Sequence, residues 1–243
     1  MARPFAVFDI DGTIIRWQLY HALADELARD GNFDSGQYKK VKDARMEWKN
    51  RANAASFKEY EEMLVSIFNM ALANISLDRF SAAIEKVIDE YKDQIYTYTR
   101  ELIVSLKREN YLLFAISASQ DEIVKRLARH YDFDEALGTA YEVKDGHFTG
   151  KYDLLMSTRK PEKLKELVVR HGASWEGSIA VGDSESDIPM LSCVEQPIAF
   201  NPTKELFTHA SKVGWKIVIE RKNMVYELEP ADGQYQLAKT NAG

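Results

Sequence analysis

Asp9 and Asp11 close the run Phe5-Ala6-Val7-Phe8-Asp9-Ile10-Asp11-Gly12-Thr13. Four apolar residues lead straight into carboxylates at i and i+2. Side chains alternate along an extended chain, so both acids can point the same way at a strand's end. Two like charges at that separation repel, and both lose hydration as the strand enters a core. Such a pair persists where a cation neutralises it or where one member keeps a proton. Both conditions suit phosphoryl transfer. An ordinary strand ending in an Asp-Gly turn is the competing reading, and this fragment alone does not separate the two.

Three later segments bear on the choice. Tyr111-Leu112-Leu113-Phe114-Ala115-Ile116-Ser117-Ala118-Ser119 is an apolar strand run ending in a hydroxyl and small residues. Small residues let backbone N–H groups approach an anion, and a helix pattern opens at Asp121 with its N-terminus there. Ser117 could equally be a turn or N-cap serine. A helix over Pro161 to Arg170 carries Lys163, whose charge could reach the strand ends; Lys160 competes for that role. Ser178-Ile179-Ala180-Val181-Gly182-Asp183-Ser184-Glu185-Ser186-Asp187 again runs from a strand into acids. Asp183 is placed as a metal ligand and Asp187 as a ligand or as the group that orients one. Mg²⁺ prefers carboxylate oxygens, water and phosphate. A serine-capped helix start is the plain alternative.

The elements that must position these residues follow from the pattern. Residues 4–9 read as a strand. Residues 15–95 hold helix patterns only: Leu19, Tyr20, Leu23 and Leu27 recur at helical spacing with Gly31 as a stop, Ser56-Phe57-Lys58-Glu59 reads as a capping box, and a third helix runs from Ser76 to Tyr91. From 111 onward, apolar runs at 111–117, 178–182, 196–200 and 215–219 alternate with helix patterns, which predicts an α/β fold with a doubly wound parallel sheet. Lys144-Asp145-Gly146-His147 predicts a β-hairpin within 138–152. Ligands of such sheets bind at the carboxyl ends of the strands, where the strand order reverses.

The motifs Asp9-Ile10-Asp11-Gly12-Thr13, Ser117, Lys163 and Gly182-Asp183-Ser184-Glu185-Ser186-Asp187, in this order, resemble the haloacid dehalogenase superfamily. Ile116-Ser117-Ala118-Ser119 and Pro189-Met190-Leu191 resemble its branch with a helical cap after the first motif, which includes phosphoserine phosphatases. The resemblance implies a core domain of residues 1–14 and 97–222, a helical cap of 15–96, and leaves a polar tail of 223–243 without a motif. It implies Asp9 as nucleophile and Asp11 as acid and base, with Thr13 orienting Asp11. It implies Mg²⁺ held by Asp9, Asp183 and the main-chain carbonyl of Asp11, with Asp187 behind them, and a phosphoryl group bound by Ser117, the Ala118 N–H and Lys163. The implied activity is hydrolysis of a small phosphorylated metabolite through an aspartyl-phosphate. A phosphotransferase acting on an alcohol and a non-catalytic phosphate-binding module are the alternatives.

The pattern departs from phosphoserine phosphatases where substrate would be recognised. Gln18 stands where they carry a glutamate for the amino group. Ser117-Ala118-Ser119 stands where Ser-Gly-Gly is usual, and Ser186 where asparagine is usual. No arginine occurs between Arg51 and Arg79 to meet a carboxylate. Strict phosphoserine specificity is therefore not expected. Trp17, Tyr20 and Trp48 could line a cap pocket, but core packing is the simpler role.

With 243 residues, 45% of them hydrophobic, the chain can bury a core and carry a second module. A net charge of −6 without a basic stripe argues against nucleic acid. No apolar stretch approaches membrane-spanning length. The N-terminus enters a strand at once, with no room for a signal peptide, and a single cysteine, Cys193, suits a reducing compartment. The expected location is the cytoplasm. Nothing in the sequence sets an oligomeric state.

Overall fold

A computed structural model describes residues 2–53, 55–155, 157–231 and 234–242, with only the backbone of Ala242. The chain falls into two compact units: Met1–Gln18, Tyr91–Thr139 and Leu154–Gly243 form the first, Leu19–Glu90 and Ala140–Asp153 the second.

The first unit is built on a sheet. Strand β1 (Pro4–Phe8) lies between β2 (Leu112–Gln120) and β5 (Ser174–Gly182), parallel to both. The sheet continues in parallel from β2 to β3 (Glu135–Lys144), and from β5 through β6 (Gln196–Phe200) to β7 (Lys216–Arg221). The chain thus winds outward from β1 first one way and then the other, so the order reverses at β1 and β5. Strand β1 is all apolar because neighbours flank it on both sides and helices cover its faces. Phe5 and Val7 join Phe114, Ile116, Ala180 and Ile217 in one buried cluster. That cluster includes Leu164 and Leu167 of α7 (Lys160–His171), Met190 and Leu191 of α8 (Ile188–Leu191), and Leu206 and Ala210 of α9 (Lys204–Val213). Phe8 alternates to the other face and meets Phe133 edge-on at 5.7 Å. Helices α5 (Thr97–Arg108) and α6 (Asp121–His130) complete this unit. Together with the family comparison below, this is the α/β parallel-sheet fold the sequence predicts.

The C-terminal segment differs from expectation. Residues read as a tail form β8 (Met224–Ala231) and β9 (Gln234–Ala242), which extend the sheet antiparallel from β7. The strand pattern was hidden by an acid at a buried position. Glu227 is 8% exposed, held 2.5 Å from Lys216 and 3.7 Å from Lys239.

The second unit holds α1 (Leu19–Arg29), α2 (Ser35–Lys49), α3 (Ser56–Leu72) and α4 (Leu77–Tyr91). It is not helical throughout. The hairpin of β3 and β4 (His147–Asp153) belongs to it from Ala140 onward, outside the expected 15–96 boundary. The reason is aromatic burial: Phe148 meets Phe80 of α4 at 4.9 Å, and Tyr141 meets Phe68 of α3 at 6.2 Å and donates to Asn69 Oδ1 at 3.1 Å. Trp48 stacks on Tyr60 at 5.6 Å, so it packs within this unit. The expected capping box at Ser56 does not form. Ser56 is already helical, and its hydroxyl donates to Asn53 O at 2.7 Å.

Candidate active site

The motif residues gather where β1, β2 and β5 end. After β1 the chain turns back on itself: the N–H groups of Ile14 and Ile15 both donate to Ile10 O, at 2.9 and 3.0 Å. Gly12 adopts φ +82° in this turn. A Cβ there would sit 2.1 Å from Asp183 Oδ2, so glycine is required both by the backbone and by the carboxylate against it. At Gly182 the reason is space alone: an added methyl would lie 2.5 Å from the Cβ of Asp187.

One carboxylate oxygen from each of Asp9, Asp183 and Asp187 lies within 4.8 Å of the other two. Lys160 reaches into this cluster from the first residue of α7. Its Nζ donates to Asp9 Oδ1 at 2.8 Å and to Asp187 Oδ1 at 2.6 Å, and the residue is 2% exposed. The other oxygen of Asp187 accepts from the Asp183 and Ser184 N–H groups, both at 3.2 Å, which fixes the turn that presents Asp183.

Charge in the cluster is unbalanced. Burial, opposed by Lys160 and reinforced by the charges of Asp187 and Asp11, pushes the Asp9 carboxyl up to about 8. Burial and the charge of Asp9 hold Asp183 well above the usual carboxylate range. Burial works against the Lys160 ammonium, yet Asp187 and Asp9 keep it above the ordinary lysine value. Two buried acids and the half-buried Asp183 share one cation, so the site is short of positive charge. A donor set of carboxylate oxygens suits a hard divalent cation.

Asp11 stands apart from this trio. Its Oδ2 accepts from Ser117 Oγ at 3.0 Å and from Ser119 Oγ at 2.7 Å. Both serines are buried, and Ser117 Oγ also accepts from the Ser119 N–H at 3.0 Å. The pairing of β2 with β3 shifts register between Ile116 and Gln120, a bulge beside the site at which Ala118 is exposed.

Residues 6–192 match the model of the haloacid dehalogenase-like hydrolase family. The chain belongs to this family. A phosphoserine phosphatase of Mycobacterium tuberculosis is 35% identical over 136 residues, 55% of this chain and 44% of that protein. A histidinol-phosphatase of Neisseria meningitidis is 25% identical over 229 residues, 89% of this chain and 98% of that one. A structure described as a phospho-aspartyl intermediate analogue of phosphoserine phosphatase shares the fold. Its TM-score is 0.61 at 22% identity, with 91% of this chain and 95% of that one covered. The chain spans about half the length of the first curated relatives it matches, at 48% and 44%.

Several residues of this family member lie elsewhere than its sequence suggests. The lysine at the carboxylates is Lys160, not Lys163. Lys163 pairs with Glu166 at 2.8 Å on an outer face of α7. The helix period gives the reason: Lys160 shares the buried stripe with Leu164, Leu167 and Val168, and Lys163 does not. Thr13 does not hold Asp11; its Oγ1 is buried and makes no hydrogen bond among the described residues. The carboxylate of Asp11 lies outside the trio of acids, where Asp187 takes the third place. Gln18 is half-buried, and Ser186 is exposed and shares a hydrogen bond with Ser184 at 2.8 Å. Ser119 is not among the site residues that the sequence suggests. Its position two after Ser117 on a strand is the signal that both hydroxyls share a face.

Proposed function

We propose that the chain is a Mg²⁺-dependent phosphomonoesterase acting on a small phosphorylated metabolite through an aspartyl-phosphate. The observation that carries this reading is the buried Lys160 between Asp9 and Asp187 with Asp183 beside them. A nucleophilic carboxylate, a cation for phosphoryl oxygens and a set of oxygen donors meet at the reversal point of the sheet. Asp9, Asp183 and Asp187 are the side chains that would hold Mg²⁺, with the Asp11 main-chain carbonyl. The ion would supply the charge this cluster lacks and offset repulsion between nucleophile and phosphate.

In the proposed reaction an Asp9 oxygen attacks phosphorus while the ester P–O bond breaks. Asp11 passes a proton to the leaving alcohol oxygen. Water then attacks the phosphoryl group, Asp11 takes its proton, and the bond to Asp9 breaks to release inorganic phosphate. Ser117, the Ala118 N–H and Lys160 bind the phosphoryl oxygens throughout. The bound cation, added to Lys160, would draw Asp9 back to its carboxylate form, which needs no base to act as nucleophile.

Broad or shifted specificity, rather than strict use of phosphoserine, is supported by where the arginines are committed. Arg45 grips Asp25 at 2.7 Å and Tyr60 Oη at 2.8 Å. Arg16 holds Glu220 at 2.6 Å and Ile95 O at 2.9 Å. Neither is spare for a substrate carboxylate, and Gln18 offers an amide where an ammonium would favour an anion. The relatives named phosphoserine phosphatase and histidinol-phosphatase extend the range of substrates to test.

The experiment is a panel of phosphorylated metabolites assayed with purified protein and Mg²⁺, with and without EDTA. Turnover that EDTA abolishes is expected, with phosphoserine no better than several other esters. Activity unchanged by full chelation would refute the metal requirement. A phosphoserine preference above about a hundredfold would refute the specificity reading.

A further inference from the structure

We infer that Ser119 is a positioning residue for Asp11, holding its carboxyl while Ser117 serves the phosphoryl group; this rests on the phosphatase reading above. A serine hydroxyl has one proton to donate. Ser117 Oγ gives its proton to Asp11 Oδ2 at 3.0 Å, so it cannot also donate to a phosphoryl oxygen without letting Asp11 go. Ser119 Oγ donates to the same Oδ2 over the shorter distance of 2.7 Å and is 3% exposed. Thr13, the residue next in line to hold Asp11, makes no such bond. When a phosphate ester engages Ser117, the hydroxyl of Ser119 remains on Asp11.

The consequence is directional. A carboxyl turns readily about its terminal torsion. With Oδ2 pinned as acceptor, Oδ1 is the oxygen that carries the proton to the leaving group. In that step the Asp9 O–P bond forms, the ester P–O bond breaks, and the alcohol oxygen takes the proton from Asp11. An alkyl leaving group depends on this proton, whereas p-nitrophenolate departs without it.

The test compares kcat/KM of wild type, Ser119→Ala and Ser119→Thr on an alkyl phosphate and on p-nitrophenyl phosphate. This parameter reports the steps through loss of the first alcohol. Ser119→Ala should lose at least tenfold on the alkyl ester and less than twofold on the aryl ester. Ser119→Thr, which keeps the hydroxyl, should restore the alkyl rate to within about threefold of wild type. Equal losses on both esters, or no loss, would overturn the inference and leave the phosphatase reading standing. A wild-type chain inactive on every ester would overturn both. Should Ser119→Ala not fold, Ser119→Cys, of similar size with a weak donor, is read by the same ratio.

Discussion

Lys160 Nζ lies 2.6 Å from Asp187 Oδ1, and the two side chains are 2% and 0% exposed. An ammonium this deeply buried persists only because carboxylates surround it. Removing one partner of a buried pair leaves the others uncompensated, typically at about 3–5 kcal/mol. Lys160→Met should therefore lower stability by that order and reduce turnover by about a hundredfold or more. Lys163→Met should leave both unchanged, within about 0.5 kcal/mol for stability. Urea unfolding and kcat/KM on p-nitrophenyl phosphate check the pair. Equal losses in the two variants would mean that the wrong lysine has been placed at the site.

Gly12→Ala tests the packing of backbone against Asp183, the proposed metal ligand. The added methyl meets Asp183 Oδ2 at 2.1 Å, and φ +82° adds strain for any L side chain. Asp183 must move, so a rise in melting temperature on adding Mg²⁺, expected for wild type by linkage, should shrink or vanish in the variant. A Mg²⁺-induced shift as large as that of wild type would show that Asp183 does not need this contact.

His21 gives a pH signature away from the carboxylates. It is 1% exposed, edge-on to Tyr60 at 4.9 Å. Burial, with the Arg45 charge adding and Asp25 opposing, pushes its pKa down from 6.5 to about 4. The unfolded chain then binds a proton that the folded chain refuses. Stability is intact above pH 6.5 and falls as the pH drops toward 4. By pH 5.5 the loss should reach about 1 kcal/mol. His21→Gln should lack this component in urea unfolding at pH 7.5 and 5.5, and identical pH slopes would disprove it.

Much of the core was readable because apolar strands ran directly into their acids. Asp9, Asp183 and Asp187 sit beside buried runs whose length and composition admit little but interior strands. Lys160 was harder to see, since one helical turn separates it from Lys163 and both precede leucines; only the stripe of Leu164, Leu167 and Val168 discriminates. The C-terminal strands were missed because Glu227 occupies an inward position. The hairpin's place in the second unit depends on Tyr141 and Phe148 meeting α3 and α4, long-range contacts that no local pattern encodes. In the sequence Ser119 reads only as part of a departure from Ser-Gly-Gly, because its partner lies 108 residues away.

The central position of β1 has a consequence for how the molecule is made. Phe5-Ala6-Val7-Phe8 is synthesised before either of the strands it pairs with, Leu112–Ala115 on one side and Ile179–Val181 on the other. Roughly a hundred residues must follow before its first partner exists, and well over half the chain before its second. During that interval a sticky strand with two open edges travels ahead of a folding helical insert. Completion of the core is therefore a late, slow event, and until then β1 is the segment most open to aggregation or chaperone capture.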